Sequence, residues 1–555
     1  MLSADAPNLY TTHQVENQPP PLVDYDAIGS DAALVEGIER EGGGWAIDRL
    51  TDFGRRATSE EFIKLGFQAN RNRPVLQTHD RIGHRIDEVE FHPAWHELIR
   101  IGMEAEAHAL PWNHRRPGAH VARAALNYLF FPIESGVGCP LTMTFAGVPV
   151  LAKEGAFGDQ WVKKLTSTQY DGRNLPVDQK TGALLGMAMT EKQGGSDVRA
   201  NTTTARPVGQ GGRGQEYLLT GHKWFCSAPM CDAFLTLAQT ERGLSCFLFP
   251  RWLPDGTRNR FFLQRLKDKL GNHSNASSEI EYHDTWAIMI GDEGRGVPTI
   301  IEMVQHTRLD CVAGSAGLMR QATAQAVHHA AHRKAFGKLL IDQPAMQNVL
   351  ADLAIETEAA TTLMLRLARA FDAVDDPQEQ AFARIATAIS KYWVCKRTPQ
   401  LVAEALECLG GAGYVEESIM PRLYREAPLN SIWEGSGNVM CLDVLRAVSR
   451  EPESLAAFDA ALRKASGADK RLDARITNIQ QGLRDQDGIQ FRARRLVEQM
   501  ALALQASLLI HHGDPHVTEA FCASRLAGDH GHVLGTLSRD VHFTHIIERS
   551  RSVSQ

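Results

Sequence analysis

Apolar residues follow helical spacing through the first third of the chain, break into short strand-like runs in the middle, and return to helical spacing for the remainder. From Ala32 to about Ala156 the pattern predicts helices, among them Ala94 to Ala109 and His120 to Phe130, with Gly42-Gly43-Gly44 as a break. After Ala183 come short aliphatic and aromatic runs: Glu216 to Thr220, Lys223 to Cys226, Ala233 to Gln239, Leu244 to Pro250, Phe261 to Leu266 and Glu279 to Tyr282. Turn residues separate them, which predicts a small antiparallel sheet or barrel. From Gly296 long helices are expected over Ile300 to Ala331, Pro344 to Phe371 and Glu379 to Leu409, the last open to a bend at Pro399. With the helix from Asn438 to Val448 they make a four-helix bundle. Beyond it, a helix opening at Asp487 or Gly488 carries Ile489, Ala493, Leu496, Val497, Met500, Leu504 and Leu508 at helical spacing, and Asp514-Pro515 has the form of a cap and first residue of another.

The expected organisation is an N-terminal arm (1–25) lying on a neighbour or loose in solvent, a helical domain (26–183), a β domain (184–292), a helical bundle (293–450) and a helical extension (451–555). The chain is mostly α with a central β domain. Composition is ordinary for a soluble globular protein, 43% hydrophobic and 23% charged. No apolar run approaches the roughly 20 residues that span a bilayer, and a cytoplasmic setting is expected. The nine cysteines are scattered without a C-x-x-C pair, which favours free thiols over a disulfide framework. A net charge of -7 means that any basic surface is local. One mild bias lies between Leu455 and Arg495, where nine Lys and Arg face five Asp and Glu, ending in Arg492, Arg494 and Arg495. These arginines either meet phosphate or line a solvated helix face.

Candidate chemistry centres on Asn430-Ser431-Ile432-Trp433-Glu434-Gly435-Ser436-Gly437-Asn438. Glu434 beside an indole and small residues, between two helices, can face a cavity where lost hydration raises its pKa and makes it a base. Alternatively Ser436 caps the following helix and Glu434 merely precedes it. Gly209 to Gly214 matches G-x-G-x-x-G, but a strand follows where a dinucleotide fingerprint needs a helix, so it reads as a hairpin loop. His328 and His332, and the group His511, His512 and His516, lack a third ligand at useful spacing, so no metal site is expected. Arg308 either borders a substrate cavity or pairs near Asp310.

Met187-Ala188-Met189-Thr190-Glu191-Lys192-Gln193-Gly194-Gly195-Ser196-Asp197 resembles the flavin-binding signature of the acyl-CoA dehydrogenase family. Further matches follow in the family's order. Gly221 to Ser227 resembles its second flavin strand, with Cys226 where Thr is usual, so that Phe225 and either Cys226 or Ser227 would meet the flavin. Gly291 to Gly296 resembles the turn from sheet to bundle. Arg333-Lys334-Ala335-Phe336-Gly337 with Gln343 resembles the segment that reaches the FAD of an adjacent subunit, and Gly410-Gly411-Ala412-Gly413-Tyr414 resembles the glycine turn near the cofactor's phosphates. Glu434 falls on the catalytic-base position, with Trp433, Gly435, Ser436 and Asn438 on cofactor-contacting positions. The resemblance covers roughly residues 30 to 450. It is nearest to the AidB-type adaptive-response branch, through Met189 to Asp197, Lys267 to Asn272 and Asn430 to Asn438.

That resemblance implies FAD as cofactor (contacts including Met187, Met189, Thr190, Gly195 and Ser196), a homotetramer, and a C-terminal domain that binds double-stranded DNA in the response to alkylation damage. The alternative it leaves open is a catabolic dehydrogenase of a short or branched acyl-CoA.

Overall fold

The computed structural model describes residues 12–552. The expected order of helices, sheet and helices is observed. The first part holds α1 (Ala32–Arg40), α2 (Ile47–Ala57), α3 (Glu60–Arg71), α4 (Pro93–Glu104), α5 (Ala119–Phe130), α6 (Ser135–Leu151) and α7 (Gly155–Leu165). It is not wholly helical: β1 (Val75–His79) and β2 (Arg85–Glu90) form a hairpin between α3 and α4. Their side chains are mostly half-buried or exposed, so they lack the apolar alternation that announces a strand.

The middle is built from β3 (Leu185–Ala188), β4 (Thr204–Pro207), β5 (Glu216–Ser227), β6 (Ala233–Thr240), β7 (Gly243–Pro250), β8 (Phe261–Leu266) and β9 (Ser277–Ile290). Strand β6 pairs β7 through a two-residue turn, β7 pairs β9, β9 pairs β5, and β5 pairs β4. A single parallel pairing of Thr204 with Gln239 returns β4 to β6 and closes the ring. Strand β3 also joins β6 in parallel, so the sheet is mixed and the all-antiparallel expectation is corrected. The glycine-rich run 209–214 is the connection between antiparallel β4 and β5.

The bundle comprises α8 (Gly296–His332), α9 (Pro344–Asp372) and α10 (Pro377–Cys408), then α11 (Met420–Glu426) and α12 (Gly437–Arg450). Pro298 stands in the first turn of α8, where its missing N–H costs nothing, and α10 runs through Pro399. Residues 12–25 lie on their own chain, with His328 Nε2 donating to the Pro20 carbonyl at 2.8 Å, Tyr25 OH donating to Gln321 at 3.1 Å, and Leu22 and Tyr25 buried against Ala324. Residues 1–11 of the expected arm lie outside the described residues.

The extension contains α13 (Pro452–Arg463), α14 (Lys470–Arg484), α15 (Ile489–His512), α16 (Pro515–Phe521) and α17 (Phe543–Arg549). Gly488 starts α15, and the Asp514 side chain accepts the backbone N–H groups of His516 and Val517. Arginines weld this region to the bundle. Buried Arg525 pairs with both Asp352 and Glu356 of α9, and Arg549 pairs with Glu358 and Glu36. Arg320 of α8 donates to the Ser550 carbonyl at 2.7 Å. No helix among the described residues is long and apolar enough to cross a membrane.

Replacing Arg525 with Met removes the cation between two buried carboxylates. The expected loss of stability is roughly 3–5 kcal/mol, read by chemical denaturation; a change below about 1 kcal/mol would show that the contact does not anchor the extension.

Candidate active site

The loop of Glu434 is held from behind, by its backbone. Glu434 has φ +58 and Gly435 φ +105, and a Cβ on Gly435 would stand 2.4 Å from Met440 Cε, so this tight bend requires glycine. Lys391 of α10 donates to the carbonyls of Trp433, at 2.7 Å, and Gly435. Arg308 of α8 donates from Nε to the Glu434 carbonyl at 3.0 Å and pairs with Asp443 of α12. Trp433 Nε1 donates to Asn430, whose amide donates to Ser315 of α8. Arg308 therefore does not pair near Asp310, which is taken by Arg123.

With the backbone fixed this way, the carboxylate is left to one partner: Glu434 Oε2 accepts from Thr307 Oγ1 at 2.8 Å. Burial raises the Glu434 pKa above the ordinary 4.5, against the hydrogen bond from Thr307 and the charges of Arg308 and Lys391. Thr307 also lies 3.0 Å from the Val304 carbonyl. Its single hydroxyl proton can serve either the carboxylate or that carbonyl, so Thr307 suits both protonation states of Glu434. Ser436 occupies the cap position of α12 but its side chain makes no cap bond. The capping alternative is therefore not what holds the loop.

Opposite, β5 presents its outward residues. Phe225 is 47% exposed and Ser227 half-buried, whereas Cys226 is buried in the β core, with burial pushing its thiol up to about 12. Of the two alternatives, Ser227 faces outward and Cys226 does not. Cys139 of α6 lies near both walls. Burial pushes its thiol up to about 11, opposed by the nearby Lys269 charge and Ser227 hydroxyl, with the Glu434 charge as one further push.

The strip Met187, Met189 and Thr190 runs half-buried from the end of β3, and the Trp224 N–H donates to the Thr190 carbonyl at 2.7 Å. Behind it is an ion pair with no exposed side-chain surface: Lys223 Nζ donates to Glu191 Oε1 at 2.8 Å and to the Leu237 carbonyl at 2.7 Å. Glu191 also accepts the Thr202 and Thr203 N–H groups. Burial works against its charge, but Lys223 and these donors outweigh it and hold the Glu191 carboxyl at about 2. The pair fixes the turn that carries Gly195 and Ser196. A Cβ on Gly195 would lie 2.6 Å from Thr190 Oγ1, and both residues of the turn are exposed.

Arg333, Phe336, Gln343, Gly410 and Gly411 are elsewhere. Arg333 follows the end of α8, 26 positions after Thr307, or about 40 Å along a helix. Gly410 and Gly411 follow α10 well beyond Lys391. Phe336 is 98% exposed at φ +52 on a tight hairpin, with Gln343 donating to the Ala335 carbonyl. Asn438 is exposed in the first turn of α12.

The three arginines of the extension differ from one another. Arg492 donates to the carbonyls of Gly482, Asp485 and Asp487 and pairs with Asp485, with its side chain 32% exposed. Arg494 is exposed beside Tyr392, and Arg495 is exposed. Sequence reasoning missed Thr307, Lys391 and Lys223. Lys223 carried a signal, a lysine inside an otherwise apolar run, whereas Lys391 and Thr307 are distant in the chain from the loop they serve.

A ring of strands between helical layers, with a backbone-clamped carboxylate opposite an outward aromatic strand, defines an acyl-CoA dehydrogenase-type flavoprotein. Residues 186–285 match the acyl-CoA dehydrogenase middle domain and 294–449 its C-terminal domain, while 17–172 match the adaptive response protein AidB N-terminal domain. The AidB protein of Escherichia coli (strain K12) is 46% identical over 92% of this chain and 94% of its own. Acyl-CoA dehydrogenase family member 11 of Caenorhabditis elegans is 30% identical over 86% of this chain and 78% of its own. The crystal structure of Caenorhabditis elegans ACDH-11 in complex with C11-CoA superposes with a TM-score of 0.84 at 27% identity, covering 94% of each chain. The chain belongs to the acyl-CoA dehydrogenase family, in its AidB-type branch.

The family's cofactor is FAD, and the residues present fit it. Phe225 and Ser227 offer an aromatic face and a hydroxyl, the Met187 to Thr190 strip offers backbone groups, and the Gly195–Ser196 turn is open to a pyrophosphate.

Replacing Lys223 with Met strands the Glu191 carboxylate in the β core. A loss of roughly 3–5 kcal/mol is expected, partly restored by adding Glu191→Gln, both measured by urea unfolding; no recovery in the double variant would mean that the two charges do not act as a pair.

Proposed function

We propose that this chain is an FAD-dependent, acyl-CoA dehydrogenase-like protein that binds double-stranded DNA through its C-terminal extension and acts in the response to DNA alkylation. Its flavin site would work on a small molecule. The observation that carries the flavin chemistry is the Glu434 carboxylate, fixed through its backbone and, among the described residues, bonded only to Thr307. Bound FAD supplies hydride acceptance. Glu434 takes the proton from the carbon alpha to a carbonyl, becoming a carboxylic acid, while the Thr307 hydroxyl turns to the Val304 carbonyl. Lys391 and Arg308 keep the loop in place through both states.

What supports the DNA reading is the likeness to AidB along nearly the whole chain and the exposed arginines Arg494 and Arg495. Family members usually form oligomers. Arg333, Phe336 and Gly410, so far from Glu434 within one chain, suit contact with a neighbour's cofactor, and a homotetramer is the assembly proposed. The catabolic reading has one specific support, the ACDH-11 structure with its C11-CoA.

Reduction of the flavin by an acyl-CoA, followed by bleaching, separates the two readings: rapid turnover of any one substrate favours catabolism. Because Glu434 must be ionised to accept a proton, the rate should fall as pH drops through its raised pKa, at a pH above 4.5. Glu434→Gln should cost roughly 10²–10⁴-fold and remove that limb; a full rate in the variant would exclude Glu434 as the base.

For DNA, deleting the extension would strip Arg525 from its buried carboxylates, so surface changes are the cleaner probe. The double variant Arg494→Gln and Arg495→Gln should weaken duplex binding at low salt and reduce the slope of affinity against salt by about 2, with the flavin spectrum unchanged. Equal affinity and slope would remove these two residues from the interface.

A further inference from the structure

The end of α3, the loop joining β8 to β9, and the segment entering and leaving α11 line an open recess of about 460 Å³. Its lining includes Asn70, Arg71, Arg73, Lys269, Arg422 and Arg425. Five cationic side chains face it, with Glu416 as the single acid of the lining. Glu416 pairs with Arg425, and its carbonyl accepts from Arg71 at 2.9 Å. Arg73 pairs with exposed Asp268 and lies 3.1 Å from His273. The field is positive enough that, after burial, Arg73 is the next influence holding the His273 imidazole below its ordinary pKa.

The second observation lies inside. Arg422 is 4% exposed and its guanidinium rests over the Phe67 ring, 4.6 Å from the centroid. Both terminal nitrogens, Nη1 and Nη2, are without a hydrogen-bond partner among the described residues. Glu134 Oε2 stands 3.7 Å from Nη1, beyond hydrogen-bond reach, and Glu134 spends its other oxygen on the Gly136 N–H and the Ser274 hydroxyl. The amide nitrogen of buried Asn70 is also unpartnered. Beyond the ion pair with Glu134 the guanidinium's terminal nitrogens are idle, and a buried donor without an acceptor is costly. Nearby Glu426 turns both its oxygens to Asn272, and burial, with the charge of Glu134 next, raises its pKa, which trims the negative charge behind Arg422.

Converging donors, a cationic rim and an aromatic floor ask for a compact group with several acceptor oxygens and more than one negative charge. We propose that this cavity is a binding site for the phosphoryl group of a small phosphorylated molecule, with Arg422 and Asn70 as inner donors and Arg71, Arg73 and Arg425 as the rim. A duplex is the poorer fit, because its phosphates lie along a continuous backbone and meet protruding side chains, whereas these inner donors sit in a recess. The volume falls in the range of small-molecule pockets, roughly 300–1,000 Å³.

The test uses the full-length protein loaded with FAD, titrated calorimetrically at low salt with inorganic phosphate, pyrophosphate and adenosine 5′-diphosphate. Saturable binding of at least one is expected, with affinity at least tenfold weaker in the double variant Arg71→Gln and Arg425→Gln, whose flavin content and melting temperature stay as in the parent. Diphosphate nucleotide binding more tightly than the inorganic anions identifies a phosphate ester; equal affinity identifies the free anion. Arg422→Gln should abolish binding, but the rim variant decides the matter if that change impairs folding. The proposal is overturned if no anion binds, if the rim variant binds as well as the parent, if binding requires removal of FAD, which would make this the cofactor's own phosphate seat, or if duplex DNA displaces the bound anion.

Discussion

The stiffness of α8 sets the terms for everything else. A continuous helix of 37 residues is about 55 Å long, so a residue near its start and one beyond its end cannot meet. Thr307 and Arg308 organise the carboxylate near one end, and the hairpin of Phe336 hangs at the other. The residues that resemble the family's flavin contacts thus fall into two sets that one chain keeps apart. A phenylalanine held almost wholly in solvent, in a left-handed conformation, costs free energy that only a further contact would offset.

The clamp on the Glu434 loop divides labour between backbone and side chain. Two cations grip carbonyls of residues 433 to 435, and neither hydrogen-bonds the carboxylate. Direct pairing with Lys391 or Arg308 would stabilise the ionised form further and weaken the base. Held through the backbone, the loop gains rigidity while burial keeps the upper hand over the two charges. In the β domain the arrangement is reversed: Glu191 and Lys223 meet directly, because there the pair has only to hold a turn.

Legibility in the sequence followed the range of the interactions involved. Helices α8, α9 and α10 were readable because each is a long run rich in apolar residues, buried on nearly every face through its middle, and the caps at Gly488 and Asp514 because capping is local. The β1–β2 hairpin escaped because its strands bury too little to alternate. Parallel pairing of β3 and β4 with β6 escaped because pairing direction is decided by partners far along the chain. At Cys226 the matched position left open which of Cys226 and Ser227 meets the flavin, and the pleat, shifted by a bulge after Lys223, turned the thiol into the core. Arg492 was chosen for its charge, and its bonds to the carbonyls ending α14 could not be foreseen from charge alone. Thr307 and Lys391 were invisible for a simpler reason: each lies dozens of positions from the loop it serves.

The bond from Arg525 to Asp352 and Glu356 also places a condition on synthesis. These partners are 169 positions apart for Glu356, an interval of roughly 10–30 s at translation rates of 5–20 residues per second. Arg397 of α10 already meets Glu356 at 3.0 Å, but until Arg525 has been made Asp352 of α9 lacks the cation that it is buried against. Completion of the bundle therefore awaits synthesis of Arg525, and a product terminated before it would expose the unfinished helices to chaperones and proteases.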